Sequence, residues 1–495
     1  MKIIQHGPGA QSVNRQEMGD WQTPIELARS VLDLVARLAP IPSAVVEPTC
    51  GTGAFLRAAN ETFHRAVLMG YELSSEYVHA ARAAVPAADV IQADFFRVNW
   101  EKALSSVPGR VLVVGNPPWV TNSTLGVLDS DNLPEKTNFK NLNGFEALTG
   151  KSNFDVSEWM IIRLLAALQT KPAMLAVLCK STVARRVIEF VRLKDWAVQA
   201  GGVWRINAKQ HFNAAVDAVL FVCRTGERPA VKATWPIYST FDAALPESRM
   251  SVANGILIAD ADRYERTSHL IGQSSPEWRS GLKHDCSRVM ELESTGGMLR
   301  NGLAEPVEIE PDLVFPLLKS SDVAKGLCTS RRAVVVPQRV LGEDTSALRH
   351  THPKAWRYLD NHRQALRDRK SSIYRGQHDF AIFGIGPYSF APWKVGISGL
   401  YKKLQFTLIG PQDGQPVMVD DTCYFLPFDD EESARAVCDA LRSPLACDFL
   451  ASRIFWDAKR PINKAVLQRL DLDALLGDHP TRRAHAGKPE QLAFI

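Results

Sequence analysis

The chain has 495 residues, a formal net charge of +4, 45% hydrophobic residues and 23% charged residues. That length accommodates two or three domains with sizeable cores, and the composition is that of a globular protein rather than a disordered or fibrous one. No apolar run approaches membrane-spanning length, residues 1–19 lack the apolar core of a signal peptide, and the eight cysteines stand singly without a CxxC pair. These features argue against a membrane span, a disulfide framework and a zinc site, and predict a cytoplasmic protein that holds no metal.

In chain order, Trp21-Gln22-Thr23-Pro24 opens an amphipathic stretch predicted as a helix over 25–38, with Thr23 as N-cap and Pro24 in its first position. Next, Val45-Val46-Glu47-Pro48-Thr49-Cys50-Gly51-Thr52-Gly53-Ala54-Phe55-Leu56 reads as a strand end, a glycine-rich turn and the opening of a helix. The glycines let a backbone approach a ligand closely. The full dinucleotide-binding fingerprint is missing, and an acidic residue precedes the glycines. A second strand is predicted over 68–73, placing Glu72 about twenty positions after the loop, where a carboxylate can accept both ribose hydroxyls. A third, over 90–96, carries Asp94 and Phe95. Each acidic residue taken alone reads as a helix cap or surface carboxylate sooner than as a ligand.

The apolar run 111–114 and Gly115 predict a buried strand that ends in a tight turn at Asn116-Pro117-Pro118-Trp119. The turn falls at a strand's carboxyl end, where open α/β sheets bind ligands. Asn116 offers a side-chain oxygen and Pro117 a carbonyl, while Pro118 has no N–H to donate. Two acceptors beside an aromatic face suit an exocyclic amine on a planar ring, such as N6 of adenine. Residues 120–151, rich in Asn, Ser, Gly and Thr and carrying Lys136, Lys140 and Lys151, read as a functional loop, either gripping a target strand or acting as a lid. Ser152-Asn153-Phe154-Asp155 is predicted to cap a helix running to about 168. A strand over 173–179 and an alternating region over 205–222 follow, with His211-Phe212-Asn213 inside the latter.

Glu47-Pro48-x-x-Gly51-x-Gly53 resembles the S-adenosylmethionine loop of methyltransferases, and Asn116–Trp119 resembles the catalytic motif of N6-adenine DNA methyltransferases. The motif order over residues 21–224 resembles the gamma class of these enzymes, of the type II restriction–modification kind. The resemblance implies a Rossmann-like α/β methyltransferase domain dependent on S-adenosyl-L-methionine, followed by an α+β target-recognition domain. It implies that Gln22, Thr23, Pro24, Glu47, Thr49, Cys50, Gly51, Gly53, Glu72, Asp94, Phe95 and Asn116 hold the donor. Within that set, Asp94 would accept from the donor's adenine amine and Phe95 would lie against its ring. Asn116, Pro117, Pro118 and Trp119 would be catalytic, and Trp119 and Phe212 would stack on an extruded base; a core phenylalanine is the alternative reading of Phe212. Two departures are modest: Trp119 replaces the commoner Tyr or Phe, and Cys50 sits inside the loop.

Three segments are predicted: a catalytic domain over 1–228, a target-recognition domain over 229–478, and a polar basic tail over 479–495. Strands are predicted in the second at 332–337, 405–409 and 423–426, and helices at 353–371 and 431–442. Residues 331–403 contain 14 Lys or Arg against 5 Asp or Glu, interleaved with aromatics, which suits a phosphate backbone and bases but also describes a solvated basic face. Three blocks, 278–285, 394–403 and 456–461, combine basic residues with glycine or proline turns. With the loop, they nominate Lys136, Lys140, Arg279, Lys283, Lys394, Lys402, Lys403, Lys459 and Arg460 as DNA contacts; structural turns and salt bridges are the alternative. The expected partner is double-stranded DNA, with a separate cognate restriction endonuclease left open and no nuclease core visible in this chain. Rival readings are the same chemistry on an RNA base or a protein glutamine, and a non-catalytic DNA-binding specificity module.

Overall fold

The computed structural model describes residues 21–107, 109–120, 155–226 and 234–477. The chain divides into two compact units, residues 1–261 and 262–495. The division falls after Ala261 and not at the expected 228, because three further strands join the first unit's sheet. The expected tail lies outside the described residues.

In the first unit, α1 (Ile25–Leu38) is followed by alternating strands and helices: β1 (Ala44–Glu47), α2 (Ala54–Thr62), β2 (Val67–Glu72), α3 (Ser75–Ala84), β3 (Asp89–Gln92), α4 (Trp100–Ser105) and β4 (Val111–Gly115). After the undescribed residues 121–154 come α5 (Val156–Ala167), β5 (Ala173–Lys180), α6 (Ser181–Leu193), β6 (Val198–Ile206), α7 (Ala208–Phe212) and β7 (Ala218–Thr225). Strands β8 (Trp235–Tyr238), β9 (Ser248–Ala253) and β10 (Ile256–Ile258) complete a ten-stranded sheet in the order β10-β9-β8-β6-β7-β5-β4-β1-β2-β3. Strands β3, β2, β1, β4 and β5 are parallel, and β7 lies antiparallel between β5 and β6. This is the Rossmann-like methyltransferase sheet.

Burial explains the sequence pattern. Every residue of β4 is buried, as a parallel strand covered by helices on both faces requires. Helix α1 buries Leu27, Ala28, Val31, Leu32, Leu34 and Val35, a one-sided apolar stripe at helical spacing. Its N-cap is Pro24, in an extended conformation without a side-chain cap bond, so Thr23 does not cap it. Helix α5 is capped as expected by Asp155, whose side chain accepts from the Ser157 N–H. The chain leaves β1 and returns on opposite sides, through β2 and then β4, so a crevice opens at their carboxyl ends.

The second unit holds a four-stranded antiparallel sheet, with β11 (Arg279–Ser280), β19 (Cys423–Phe428), β16 (Trp393–Ser398) and β17 (Phe406–Ile409) in that order. A five-stranded sheet orders β13 (Met298–Asn301), β12 (Glu291–Thr295), β15 (Arg332–Val335), β14 (Val314–Leu318) and β18 (Met418–Val419). The expected helix over 353–371 is two helices, Pro353–Asn361 and Arg363–Arg367, followed by a 3-10 turn. The expected helix at 431–442 is Glu431–Leu441. Trp278, Phe406 and Phe449 belong to a core built on the four-stranded sheet.

Candidate methyl-donor site and basic surface

The crevice at the carboxyl ends of β1, β2 and β4 contains a cavity of about 400 Å³, the size range of small-molecule sites. Gln22, Thr23, Glu47, Thr49, Cys50, Gly51, Glu72, Asp94, Phe95 and Asn116, all named from the sequence, line it. Pro24 and Gly53 do not line it; they shape its backbone.

The loop between β1 and α2 is held from several sides. Gly51 and Gly53 have φ of 49° and 87°, the left-handed region that favours glycine. A Cβ on Gly51 would sit 2.6 Å from Gln22 Oε1, and one on Gly53 would crowd Ala81. The Gly51 N–H donates to Glu72 Oε2 (2.8 Å), and the Thr52 N–H and hydroxyl both donate to Gln22 Oε1 (3.2 Å). Gln22 thereby ties the segment before α1 to the loop. Glu47 is buried, and its Oε2 accepts from the Leu56 N–H (3.2 Å). Burial, reinforced by the Glu72 charge, pushes the Glu47 carboxyl well above the usual range. The same burial, with Glu47 and Glu72 nearby, raises the Cys50 thiol, so Cys50 is a small packing residue and not a reactive one.

Glu72 accepts from Gly51 N through one oxygen and from Ser74 N through the other (2.9 Å). Each carboxylate oxygen keeps a further acceptor site, which is what a pair of ribose hydroxyls requires. Asp94 Oδ1 accepts from the Phe96 N–H (2.9 Å), and Arg97 lies 3.6 Å from Oδ2. The expected third strand ends at Gln92, so Asp94 and Phe95 stand on the turn beyond it. Phe95 is buried against Trp100, ring centroids 4.8 Å apart, and the Trp100 indole donates to the Phe95 carbonyl (3.0 Å). Two carboxylates, Glu72 and Asp94, the aromatic Phe95 and a glycine loop around one cavity fit S-adenosyl-L-methionine.

At the end of β4, Asn116 Nδ2 donates to the Trp21 carbonyl (3.1 Å), which fixes the amide plane. Its Oδ1 is buried without a hydrogen-bond partner among the described residues. Pro118 lines the cavity and Pro117 is buried behind it. Trp119 is 6% exposed and lies in the sheet's core, its indole donating to the Leu178 carbonyl (3.4 Å). Phe212, 5% exposed at the end of α7, meets Trp119 edge-to-face at 5.2 Å and 73°. The structure thus brings together the two rings named as base-stacking residues, in contact with each other and with no slot between them. Trp21, passed over among the candidate residues, links the group: its carbonyl anchors Asn116 and its ring lies 6.4 Å from Phe212. Phe96, Ser74, Tyr77, Val120, Val156 and Met160 also line the cavity. Only Phe96, beside Asp94, carried a sequence signal; the rest depend on how helices α3 and α5 pack.

In the second unit, segments far apart in sequence converge. Lys283 Nζ lies 2.7 Å from Asp285 and 3.7 Å from Asp421, and Arg460 lies 3.8 Å from the same Asp421 carboxylate. A Cβ on Gly399 would lie 3.0 Å from both the Thr422 and Ile462 carbonyls. Blocks 278–285, 394–403 and 456–461 therefore meet around residues 420–424. Lys402, Lys403 and Lys459 are exposed. Arg279 pairs with Glu277 (2.8 Å) and lies over the Tyr388 ring. Lys394 corrects the sequence reading: it is 1% exposed, donates to the Ala391 carbonyl (2.6 Å), and burial lowers its ammonium to about 7. Both faces of β16 are covered at this point, and the Lys394 ammonium lies over the Phe425 ring, so the side chain is not presented to DNA. Other charges of the basic stretch are committed within the fold: Arg363 and Arg367 pair with Asp379, and Arg369 donates to backbone carbonyls. Lys136 and Lys140 lie outside the described residues.

No family model matches the chain. It is 41% identical to the type II methyltransferase M.NspV of Nostoc sp. over 467 residues, 93% of this chain and 97% of that one. Among solved structures it is similar to the type IIL restriction–modification enzyme MmeI in complex with DNA, with a TM-score of 0.54 and 11% identity over 90% of this chain. The chain spans 64% of the MmeI chain's length, and at that identity the likeness shows the fold. The type IIG restriction endonuclease BpuSI matches over 93% of this chain and 60% of its own, at 14% identity and a TM-score of 0.38. The identity to M.NspV along nearly the whole of both chains, on a sheet whose crevice fits the methyl donor, places this chain in the type II methyltransferase family of restriction–modification enzymes, with S-adenosyl-L-methionine as its methyl donor.

Proposed function

We propose that this enzyme transfers a methyl group to N6 of an adenine turned out of duplex DNA. The observation that carries this reading is Asn116, a residue lining the donor cavity: one end of its amide is anchored to the Trp21 carbonyl, and the other is a buried acceptor with no partner among the described residues. Leaving such an acceptor unsatisfied costs about 1–3 kcal/mol. A substrate N–H removes that cost, which favours an amine as the acceptor of the methyl group.

The bound donor supplies an activated methyl group on a sulfonium. The adenine N6 lone pair is delocalised into its ring and is a poor nucleophile. Asn116 Oδ1 and the Pro117 carbonyl accept the two N6 hydrogens and favour a pyramidal nitrogen whose lone pair points at the methyl. An N–C bond forms as the S–C bond breaks, and one N6 proton then leaves to solvent. No general base is required; positioning and fixed dipoles carry the acceleration. Flipping the base costs a few kcal/mol. Stacking of the base on an aromatic ring returns about 1–3 kcal/mol of that cost, and Trp119 and Phe212, which now meet edge-to-face, have to part to supply it.

We assign duplex binding to the second unit, through Lys402, Lys403 and Lys459 together with Arg279, Lys283 and Arg460, whose carboxylate partners a phosphate can replace. Methyl transfer to duplex oligonucleotides from tritiated donor tests the reading. Adenine N6 as the labelled atom supports it; label only in RNA or in protein glutamine refutes it.

A further inference from the structure

Lys180, the last residue of β5, has a position that the donor site does not explain. A charged side chain closes an otherwise apolar, fully buried strand, and it is held at 23% side-chain exposure. Its Nζ donates to the backbone carbonyl of Trp119 (3.0 Å) and to Asp155 Oδ2 (2.7 Å). Asp155 is itself fixed, its Oδ1 accepting from the Ser157 N–H (3.1 Å) and hydroxyl (2.6 Å) at the start of α5. Two residues earlier on the same strand, the Leu178 carbonyl accepts the Trp119 indole N–H. The end of β5 therefore holds Trp119 at two points, its ring through Leu178 and its backbone through Lys180. The Val156 N–H adds a third tie, donating to the Val120 carbonyl (2.9 Å).

We propose that Lys180 is a positioning residue for methyl transfer, its ammonium clamping the Trp119 carbonyl to Asp155 so that the Asn116–Trp119 turn keeps the geometry its acceptors need. The physical case rests on what each bond restrains. Asn116 is anchored on its amino-terminal side by Trp21. Pro117 and Pro118 fix their own φ and restrict the ψ of the residue before each, but ψ of Pro118 is not restricted in this way, and the turn's carboxyl-terminal side is held by the Lys180 and Leu178 bonds. A charge-assisted bond is stronger than a neutral one, and a lysine paired with a buried carboxylate holds one orientation. Lys180 touches none of the reacting atoms and does not line the donor cavity. Its loss should therefore act on the transfer step and spare donor binding.

The proposal rests on the tetrad reading above, so the experiment separates the two. Lys180→Met, Lys180→Arg and Asp155→Asn are compared with wild type for donor affinity by calorimetry and for single-turnover transfer at saturating donor and acceptor. Misplacement of reacting groups by about 1 Å costs on the order of 10²-fold, so Lys180→Met should lose about that factor with donor affinity within twofold. Lys180→Arg, which keeps the charge-assisted bonds, should recover most of the loss. A Lys180→Met enzyme within threefold of wild type overturns the proposal, and so does one that loses donor binding in parallel, since that is general destabilisation. Failure of the wild type to methylate DNA counts against the proposed substrate alone. The clamp is then read from 5-fluorotryptophan-labelled protein by fluorine NMR, with the Trp119 signal assigned through Trp119→Phe. Lys180→Met should shift that signal and Lys180→Arg should not; an unmoved signal in Lys180→Met overturns the clamp.

Discussion

Asn116 carries two hydrogen-bonding groups with different fates, and the difference sets what its removal should do. Its Nδ2 is committed to the Trp21 carbonyl, while Oδ1 is buried and has no partner among the described residues. Asn116→Ala should lower single-turnover transfer by about 10²–10³-fold, the range for losing one preorganised polar group in a reacting site. Donor affinity should change little, because Gln22, Glu72 and Asp94 remain; calorimetry and a tritium-transfer assay read the two quantities separately. Glu47 gives a second residue-scale expectation. Its carboxyl is raised in the folded chain, so the folded state binds more protons than the unfolded one above the ordinary carboxylate pKa of about 4.3. Stability from this group is then lost as pH rises from there toward the folded value. Glu47→Gln should raise the donor-free Tm at pH 7 and leave it nearly unchanged at pH 4, measured by thermal melts across that range. An equal Tm shift at both pH values would mean that the Glu47 charge is not the cause.

Strands and helices set which of these features could be read from the chain. The donor loop, Glu72, Asp94 and the Asn-Pro-Pro-Trp turn were legible because each follows a short apolar strand, and a parallel sheet delivers strand ends to one crevice. Helix α1 was legible in its bounds because its apolar residues recur at helical spacing over its whole length. Strands β8, β9 and β10 were not, since Trp235–Tyr238 and Ile256–Ile258 are too short to show alternation and gain meaning only as additions to β6. Lys394 was misread for a related reason: composition counts its charge, but packing on both faces of β16 decides that it is buried. Two expectations follow at this scale. Lys394→Met should leave DNA affinity within twofold. Burial lowers the Lys394 pKa to about 7, so its neutral form is favoured in the fold and stability rises as pH climbs from 7 toward its unfolded value; the mutant's Tm should lack that rise. Lys402 and Lys403, exposed just beyond β16, should behave in the opposite way. Replacing both with Ala should weaken duplex binding across sequences and reduce the slope of log K against log salt by roughly 2, about 0.9 for each phosphate no longer neutralised. Fluorescence anisotropy titrations over a range of salt read both effects, and an unchanged slope would remove these lysines from the interface.

Across the whole molecule, the first unit holds the cavity that fits the methyl donor and the Asn116–Trp119 turn, and the second holds a basic surface assembled from distant segments. Sequence pattern made the first recognisable, because its chemistry depends on a few residue types at strand ends. The second was legible only as a local charge excess, much of which the structure commits to ion pairs such as Arg363 and Arg367 with Asp379. The central claim, that the two units together methylate adenine N6 in DNA through Asn116, is tested most directly inside a cell. Wild type and Asn116→Ala are expressed in a methylation-deficient bacterial host, and its DNA is read by modification-sensitive sequencing. The account predicts N6-methyladenine at one short sequence motif in the wild type and its loss in the mutant. No new mark on DNA, from a folded protein shown to bind S-adenosyl-L-methionine, would contradict it.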